Sequence, residues 1–290
     1  MSTKDNQKVY FGDKKVTKQN KKDGVESIFS KVSENYDLMN DLMSAGMHRF
    51  WKKSFIDAAN IKKDGVEEIF TKVSDNYDLM NDMMSVGMHR LWKRSFIDTA
   101  NIQKDHVCLD LAAGTGDIAK LIAQKVSKKS IYLCDQNKEM IEKAKERSLN
   151  EGFFNKCHFQ VSSAEKLPFK DEQFDHVFIS FGFRNFSDKS QSLLEIKRVL
   201  KKAGVLHILE FSKVENKTFS KIYDFYSYNF IPLMGQAISG DKKSYDYLVK
   251  SIRTHENQED MLELFNKAGF EDSNYENMFN GIVSLHRGRK

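Results

Sequence analysis

The sequence predicts an α/β fold: a doubly wound sheet of parallel strands, preceded by a helical N-terminal region. Two observations point there. Beyond residue 105, short apolar runs alternate with helix-periodic segments, as parallel strands joined by crossover helices require. The first of these runs ends in a glycine-rich turn, VCLDLAAGTGDIA at residues 107–119, and a helix opens directly after it.

The elements follow in order. HVCLDLA (106–112) is a strand and IAKLIAQKV (118–126) its helix. SIYLCD (130–135) is a second strand, followed by helical NKEMIEKAKERSLNEG. KCHFQVS (156–162) is a third and FDHVFISFG (174–182) a fourth, followed by helical KSQSLLEIKRVLKKAG. VLHILEFS (205–212) is a fifth. Near the end, helical NQEDMLELFNKAGF leads to two late strand candidates, around 272–278 and 281–287.

The region upstream is a duplication. Residues 24–64 and 65–105 align without gaps and differ at nine positions, all mild swaps such as Glu34/Asp75 and Phe50/Leu91. Two copies are too few for a solenoid. Each unit reads as helical: Ile69, Phe70, Val73, Tyr77 and Met80 recur at steps near 3–4. Gly87 marks a break, and Leu91, Trp92, Phe96 and Ile97 give a second apolar face. Residues 1–23 are polar and lysine-rich, with an isolated Val9-Tyr10-Phe11, and are expected to form a flexible arm. The expected organisation is therefore the arm 1–23, a surplus helical copy 24–64, a second copy 65–105 covering a ligand site, and the α/β domain 106–290.

Composition narrows the function. A chain of 290 residues can bury a sizeable core. The net charge of +5 reflects a lysine-rich solvated surface, with attraction to an anionic membrane face as the sharper reading. No aromatic-interleaved basic module and no zinc spacing occurs, so neither nucleic acid nor a metal is expected. Cys108, Cys134 and Cys157 lie in or beside strand-like runs and read as buried free thiols. The N-terminus lacks the apolar core of a signal peptide, and no run of 18 apolar residues occurs. A cytoplasmic location is the expectation.

The turn at 107–119 carries the first chemistry. Gly114 and Gly116 let the backbone turn tightly and approach a ligand, and Thr115 lies between them. Asp135 closes the next strand, where a carboxylate can accept both hydroxyls of an adenosine ribose. The spacing Gly114-x-Gly116-x-x-Ala119 also satisfies a loose dinucleotide fingerprint. Asp110 tilts the balance. Methyltransferases using S-adenosylmethionine carry an acid there, facing the cofactor's ammonium, whereas acid at Asp110 and Asp117 would repel a pyrophosphate. Ser163-Ala164-Glu165 close the third strand, at the carboxyl edge where such sheets bind ligands. Ser163 and Ala164 can flank an adenine there; a plain connecting loop, with Pro168 and Asp171 as turn residues, accounts for this stretch equally well.

Further blocks occur in a fixed order: LDLAAGTGD, LPFKDEQFD, SFGFRNFSDK, EIKRVLKKAGVLHILEFSK, YDFYSYNFIPLMG, SYDYLVKSIRTH and GIVSLHRG, with NYDLMNDMMSVGMHRLWKR upstream. Together they closely resemble the UbiE/MenG family, the C-methyltransferases of ubiquinone and menaquinone biosynthesis. The resemblance runs from about residue 9 to 290, with one repeat unit surplus. It implies the class I S-adenosylmethionine-dependent methyltransferase fold, with seven strands and the last antiparallel. It carries cofactor contacts to Thr115, Asp135, Ser163, Ala164 and Ser180. Ser163 stands where the family usually has Asn, Ala113 where Gly is usual, and Lys202-Ala203 replace a Pro-Gly turn.

The resemblance implies methyl transfer to a ring carbon of a polyprenylated quinol, either a benzoquinol or demethylmenaquinol. Arg184, in SFGFRN, is the first catalytic candidate, to stabilise a phenolate or position a water; a salt-bridged structural arginine is the other reading. Tyr245 and His255 are second-line candidates. The aromatic stretch 223–235 reads either as a core helix or as a lid and tunnel for the quinol. Because the substrate partitions into lipid, peripheral contact with the inner membrane leaflet is expected. A homo-oligomer or a biosynthetic complex stays open. Two other functional classes are an NAD(P)-dependent oxidoreductase on the same turn and a non-catalytic scaffold. Of the two repeat copies, 65–105 runs directly into LDLA, as in the family, and is expected to cover the cofactor with Tyr77, Met84 and Trp92. Tyr77 is its candidate cofactor-side contact.

Overall fold

A computed structural model describes residues 8–11, 14–17, 20–21, 23–24, 89–214, 250–278 and 281–290. Lys8–Phe11 (β1) and Lys14–Thr17 (β2) form an antiparallel hairpin with Val9 opposite Val16. The arm thus carries local structure that its lysine-rich composition does not suggest. Helix α1, His89–Asp98, follows. The α/β domain then runs β3 (Cys108–Leu111), α2 (Asp117–Ala123), β4 (Ile131–Asp135), α3 (Lys138–Asn150), β5 (Cys157–Val161) and β6 (Phe174–Ser180). It closes with α4 (Lys189–Val199), β7 (Leu200–Phe211), α5 (Gln258–Lys267), β8 (Glu271–Met278) and β9 (Val283–Arg289).

Seven strands form one sheet in the order β5-β4-β3-β6-β7-β9-β8. β3 pairs in parallel with both β4 and β6, so the winding reverses on either side of it. β9 is antiparallel to β7 and to β8. The sheet therefore matches the expected seven mostly parallel strands with the last one reversed. One boundary moves: β7 begins at Leu200 rather than after Gly204, and Ala203, at φ 62°, holds the left-handed conformation where the turn was expected.

Alternation along the strands builds two cores. Cys108, Phe178, Leu209 and Phe211 face one side and pack with α1, α2 and α3 through Phe96, Ile118, Ile122 and Ile141. Leu109, Leu111, Val177, Ile179, Leu206 and Ile208 face the other and pack with α4 and α5 through Leu193, Ile196, Met261 and Phe265. The closing part of the second repeat copy belongs to the first core: Phe96 is fully buried and stands edge-on to Phe178, ring centroids 5.5 Å apart. The three cysteines are buried and free. Among the described residues no helix is long and apolar enough to cross a membrane.

Candidate active site

The carboxyl ends of four parallel strands open into one cleft, enclosing about 710 Å³ including space open to solvent. After β3 come Ala112 and Gly114; after β4, Gln136 and Asn137; after β5, Ser162, Ala164 and Glu165; after β6, Gly182, Asn185, Phe186 and Ser187. Doubly wound sheets bind ligands at this edge because the winding reversal leaves a crevice between crossover helices.

The glycine-rich turn shapes the floor. Gly114 has φ 53°, and a Cβ built there would meet nothing within 4 Å, so its backbone faces open space. Gly116, at φ 85°, caps α2, and a Cβ there would come within 3.1 Å of Leu133. Thr115 is buried, and its Oγ1 accepts a 3.1 Å hydrogen bond from Arg147. Asp135 ties the turn to β4. Its Oδ2 accepts from the Gly114 N–H at 2.9 Å and its Oδ1 from the Asn137 N–H at 2.9 Å. Burial raises its pKa against the pull of these amides. The Gln136 N–H adds a third donor, which leaves the carboxylate one lone pair for a ligand hydroxyl.

Asp110 anchors the helix that follows the turn. Its Oδ2 accepts from the Ala119 N–H at 3.0 Å and locks the first turn of α2 onto β3. Burial pushes its pKa well above the usual carboxylate range, aided by Asp117 and Asp135. Asp117 is neutralised on both sides, by Lys93 at 2.6 Å and Arg147 at 2.6 Å. The acid crowding expected to repel a pyrophosphate is thus weaker than the sequence suggests, because two cations from α1 and α3 meet Asp117. Of the remaining cofactor candidates, Ala164 lines the cleft and Ser163 precedes it directly. Ser180 closes β6, with a buried Oγ that has no partner among the described residues.

The β6 wall is held under strain. Ala112 (φ 57°) and Phe181 (φ 56°) both sit in the left-handed region, one residue past β3 and β6. Gly182 packs so closely on Ala112 that a Cβ there would stand 2.7 Å from the alanine Cβ. Arg184 lies in the following turn of 3-10 helix, Phe183–Asn185. Its guanidinium pairs with Glu210 at 2.8 Å and bonds the Phe181 carbonyl, and the side chain is 2% exposed. It also lies 5.7 Å from the Phe211 ring centroid.

His255 is buried, with its Nδ1 2.8 Å from Glu256, which also pairs with Lys189. Burial lowers its pKa more than Glu256 raises it, so the ring is neutral at neutral pH. Tyr77 and Tyr245 lie outside the described residues, as do Met84 and the stretch 223–235.

Sequence reasoning missed Glu210, Gly182, the strained Ala112 and Phe181, and Lys21. Only Glu210 carries a readable signal, an acid at the carboxyl end of a parallel strand, the feature that marks Asp135.

The open backbone at Gly114, the strand-end carboxylate of Asp135 and the lone buried Ser180 hydroxyl suit a ligand combining a ribose with an apolar base plane. These features and the sheet order define the class I S-adenosylmethionine-dependent methyltransferase fold. A SAM-dependent methyltransferase of Aquifex aeolicus shares it, with TM-score 0.53 and 16% identity over 73% of this chain and 97% of that one. The chain belongs to the ubiE/COQ5 methyltransferase family, which matches residues 14–67 and 57–290. The ubiquinone/menaquinone biosynthesis C-methyltransferase UbiE of Hydrogenovibrio crunogenus is 47% identical over 283 residues, 97% of this chain and 95% of that protein. Its counterpart in Idiomarina loihiensis is 42% identical over the full length of both.

Proposed function

We propose that this protein methylates a ring carbon of a polyprenylated quinol in ubiquinone or menaquinone biosynthesis, with S-adenosylmethionine as cofactor. One observation carries the reading: identities of 42–47% to UbiE C-methyltransferases run across nearly the whole chain, through every strand end that lines the cleft. When bound, the cofactor supplies an electrophilic methyl group. Asp135 would receive a ribose hydroxyl, Ser163 and Ala164 would flank the adenine, and Gly114, Thr115 and Gly116 would lay the turn against the cofactor. Ser180 offers a polar contact at the β6 end. Asp110, which holds the start of α2, would be ionised by the cofactor's ammonium and hold that group as well.

The quinol ring is already a carbon nucleophile, so the protein's task is alignment, exclusion of water and removal of a proton. His255 is proposed as proton acceptor, because its neutral ring and Glu256 partner suit it to take a charge. Arg184 acts through the backbone: pairing with Glu210 and bonding the Phe181 carbonyl fix the wall beside the substrate. Tyr77 and Tyr245 are proposed to complete the site from the second repeat copy and the segment before His255. The lipid-soluble substrate makes peripheral contact with a membrane face part of the proposal.

Quinone profiling by mass spectrometry in cells lacking the protein is the test. Accumulation of a demethyl-quinone, reversed by the wild-type gene, is expected. An unchanged quinone pool would sink the assignment. Calorimetry adds a control: S-adenosylhomocysteine binds and NAD does not.

A further inference from the structure

Among the described residues, three clamps hold the cleft wall at 182–188. Glu210 accepts from the Arg184 N–H at 3.2 Å and from its guanidinium at 2.8 Å. Glu165 accepts from the Ser187 and Asp188 N–H groups at 3.1 and 3.2 Å. The third clamp comes from the N-terminal arm. The Lys21 ammonium donates to the carbonyls of Arg184 at 3.4 Å and Phe186 at 3.2 Å, across 163 and 165 residues of sequence.

These carbonyls leave the end of the 3-10 turn, where the backbone has spare acceptors and a cation is favoured. They flank Asn185, whose N–H turns back to the Gly182 carbonyl at 3.0 Å. Asn185 and Phe186 both line the cleft. Lys21 is only 6% exposed, unusual for a lysine on a polar arm that water could hold at no cost. Burying an ammonium is unfavourable unless acceptors replace its water. Here the carbonyls do so, while Glu165 and Glu256 oppose the repulsion of Lys189, and burial brings the pKa down to about 8.

We infer that Lys21 is a positioning residue for the cofactor cleft: by capping the 3-10 turn it fixes Asn185 and Phe186 for ligand binding. The inference rests on reading the cleft as the S-adenosylmethionine site. It makes the arm part of the working enzyme although no described arm residue lines the cleft.

Lys21→Met and Lys21→Arg in the full chain test it. Hydrogen exchange on the ligand-free protein reads the clamp alone: amides of 184–188 should exchange about tenfold faster in Lys21→Met, with the β3 and β6 amides unchanged. Calorimetry with S-adenosylhomocysteine should show about fivefold to tenfold weaker binding in Lys21→Met, with at least half the loss recovered in Lys21→Arg. In turnover, the cofactor KM should rise by a similar factor with kcat nearly constant. Unchanged exchange and affinity in Lys21→Met overturn the inference. So does an equal loss in both variants accompanied by a lower melting temperature, which marks a purely structural lysine. A wild-type protein that fails to bind S-adenosylhomocysteine removes the reading of the cleft instead, and the exchange result then still decides whether the clamp exists.

Discussion

Arg184 and Glu210 form an ion pair of 2.8 Å inside the core, with side chains 2% and 0% exposed. The Glu210 carboxylate takes three donors, the Arg184 guanidinium, the Arg184 N–H and the Phe211 N–H. A charge pair in this setting is costly to break, because the survivor stays buried without its counter-ion. Arg184→Ala should destabilise the domain by about 3–5 kcal/mol, read by urea denaturation. The double variant Arg184→Met/Glu210→Met should recover much of that loss. If Arg184→Ala unfolds no more easily than wild type, the arginine is not the structural post described here.

Asp135 bridges two backbone amides across the cleft floor. Asp135→Asn keeps the shape but can turn only one oxygen to these two donors. S-adenosylhomocysteine binding should weaken by roughly tenfold to a hundredfold, since a hydrogen bond to a charged group is worth about 1.5–3 kcal/mol. Calorimetry measures it directly, and wild-type affinity would show that Asp135 holds only the turn.

Gly182→Ala tests the closest approach in the site. Its Cβ would stand 2.7 Å from the Ala112 Cβ, so either the β3 turn or the β6 wall must shift. Overpacking of this kind costs about 1–3 kcal/mol. The larger effect is expected on cofactor affinity, because both displaced residues line the cleft. A crystal structure of the variant with both turns unmoved would contradict this.

Stability should fall in mild acid. Burial lowers the pKa of His89 to about 3, and of His176 and His286 to about 4. Between pH 6.5 and about 4 the unfolded chain binds protons that these folded-state rings do not, so stability drops as pH falls through that window. The loss is on the order of 1.4 kcal/mol per pH unit for each histidine. Urea midpoints at pH 7, 6, 5 and 4.5 give the slope. His286→Phe, in contact distance of the Tyr275 ring at 5.8 Å, should flatten it by roughly a sixth, because burial also lowers His158, His207 and His255. A slope left unchanged by His286→Phe would show that burial does not hold this ring neutral in the folded protein.

The sheet and the cleft were legible because both follow from local pattern. Apolar runs ending in Gly114 or Asp135 mark strand ends, and strand ends in a doubly wound sheet converge on one edge. Partnerships were not legible. Glu210 lies 26 residues from Arg184 and Lys21 lies 163, and no periodicity encodes which cation meets which acceptor. Asp110 shows the same limit: its position beside the turn is readable, but its bond to the Ala119 N–H depends on how α2 docks. Ala112 and Phe181 adopt left-handed backbone although neither residue type favours it, so only the fold could reveal that strain.

The duplication yields the last prediction. Residues 24–64 and 65–105 are near copies, yet their connections differ. The second runs without interruption into β3, and its end is built into the core through Trp92, Phe96 and Ile97. From the same helix, Lys93 pairs with Asp117 at the cofactor turn. Removing 65–105 would substitute Phe50 for Leu91 and Lys53 for Arg94, with Trp51, Lys52, Phe55 and Ile56 replacing their counterparts unchanged. Leu91 is 59% exposed, so a phenylalanine there meets mostly solvent. Either deletion therefore joins the arm to a unit able to rebuild α1 and the Lys93–Asp117 pair. We expect deletion of 24–64 to leave methylation intact, and deletion of 65–105 to retain activity within about threefold, the mild swaps costing below about 1.5 kcal/mol. Complementation of a strain lacking the protein, read by its quinone profile, measures both. If deleting 24–64 abolishes methylation, the first copy is not surplus. If only the 65–105 deletion fails, the nine substitutions have already made the two copies unequal.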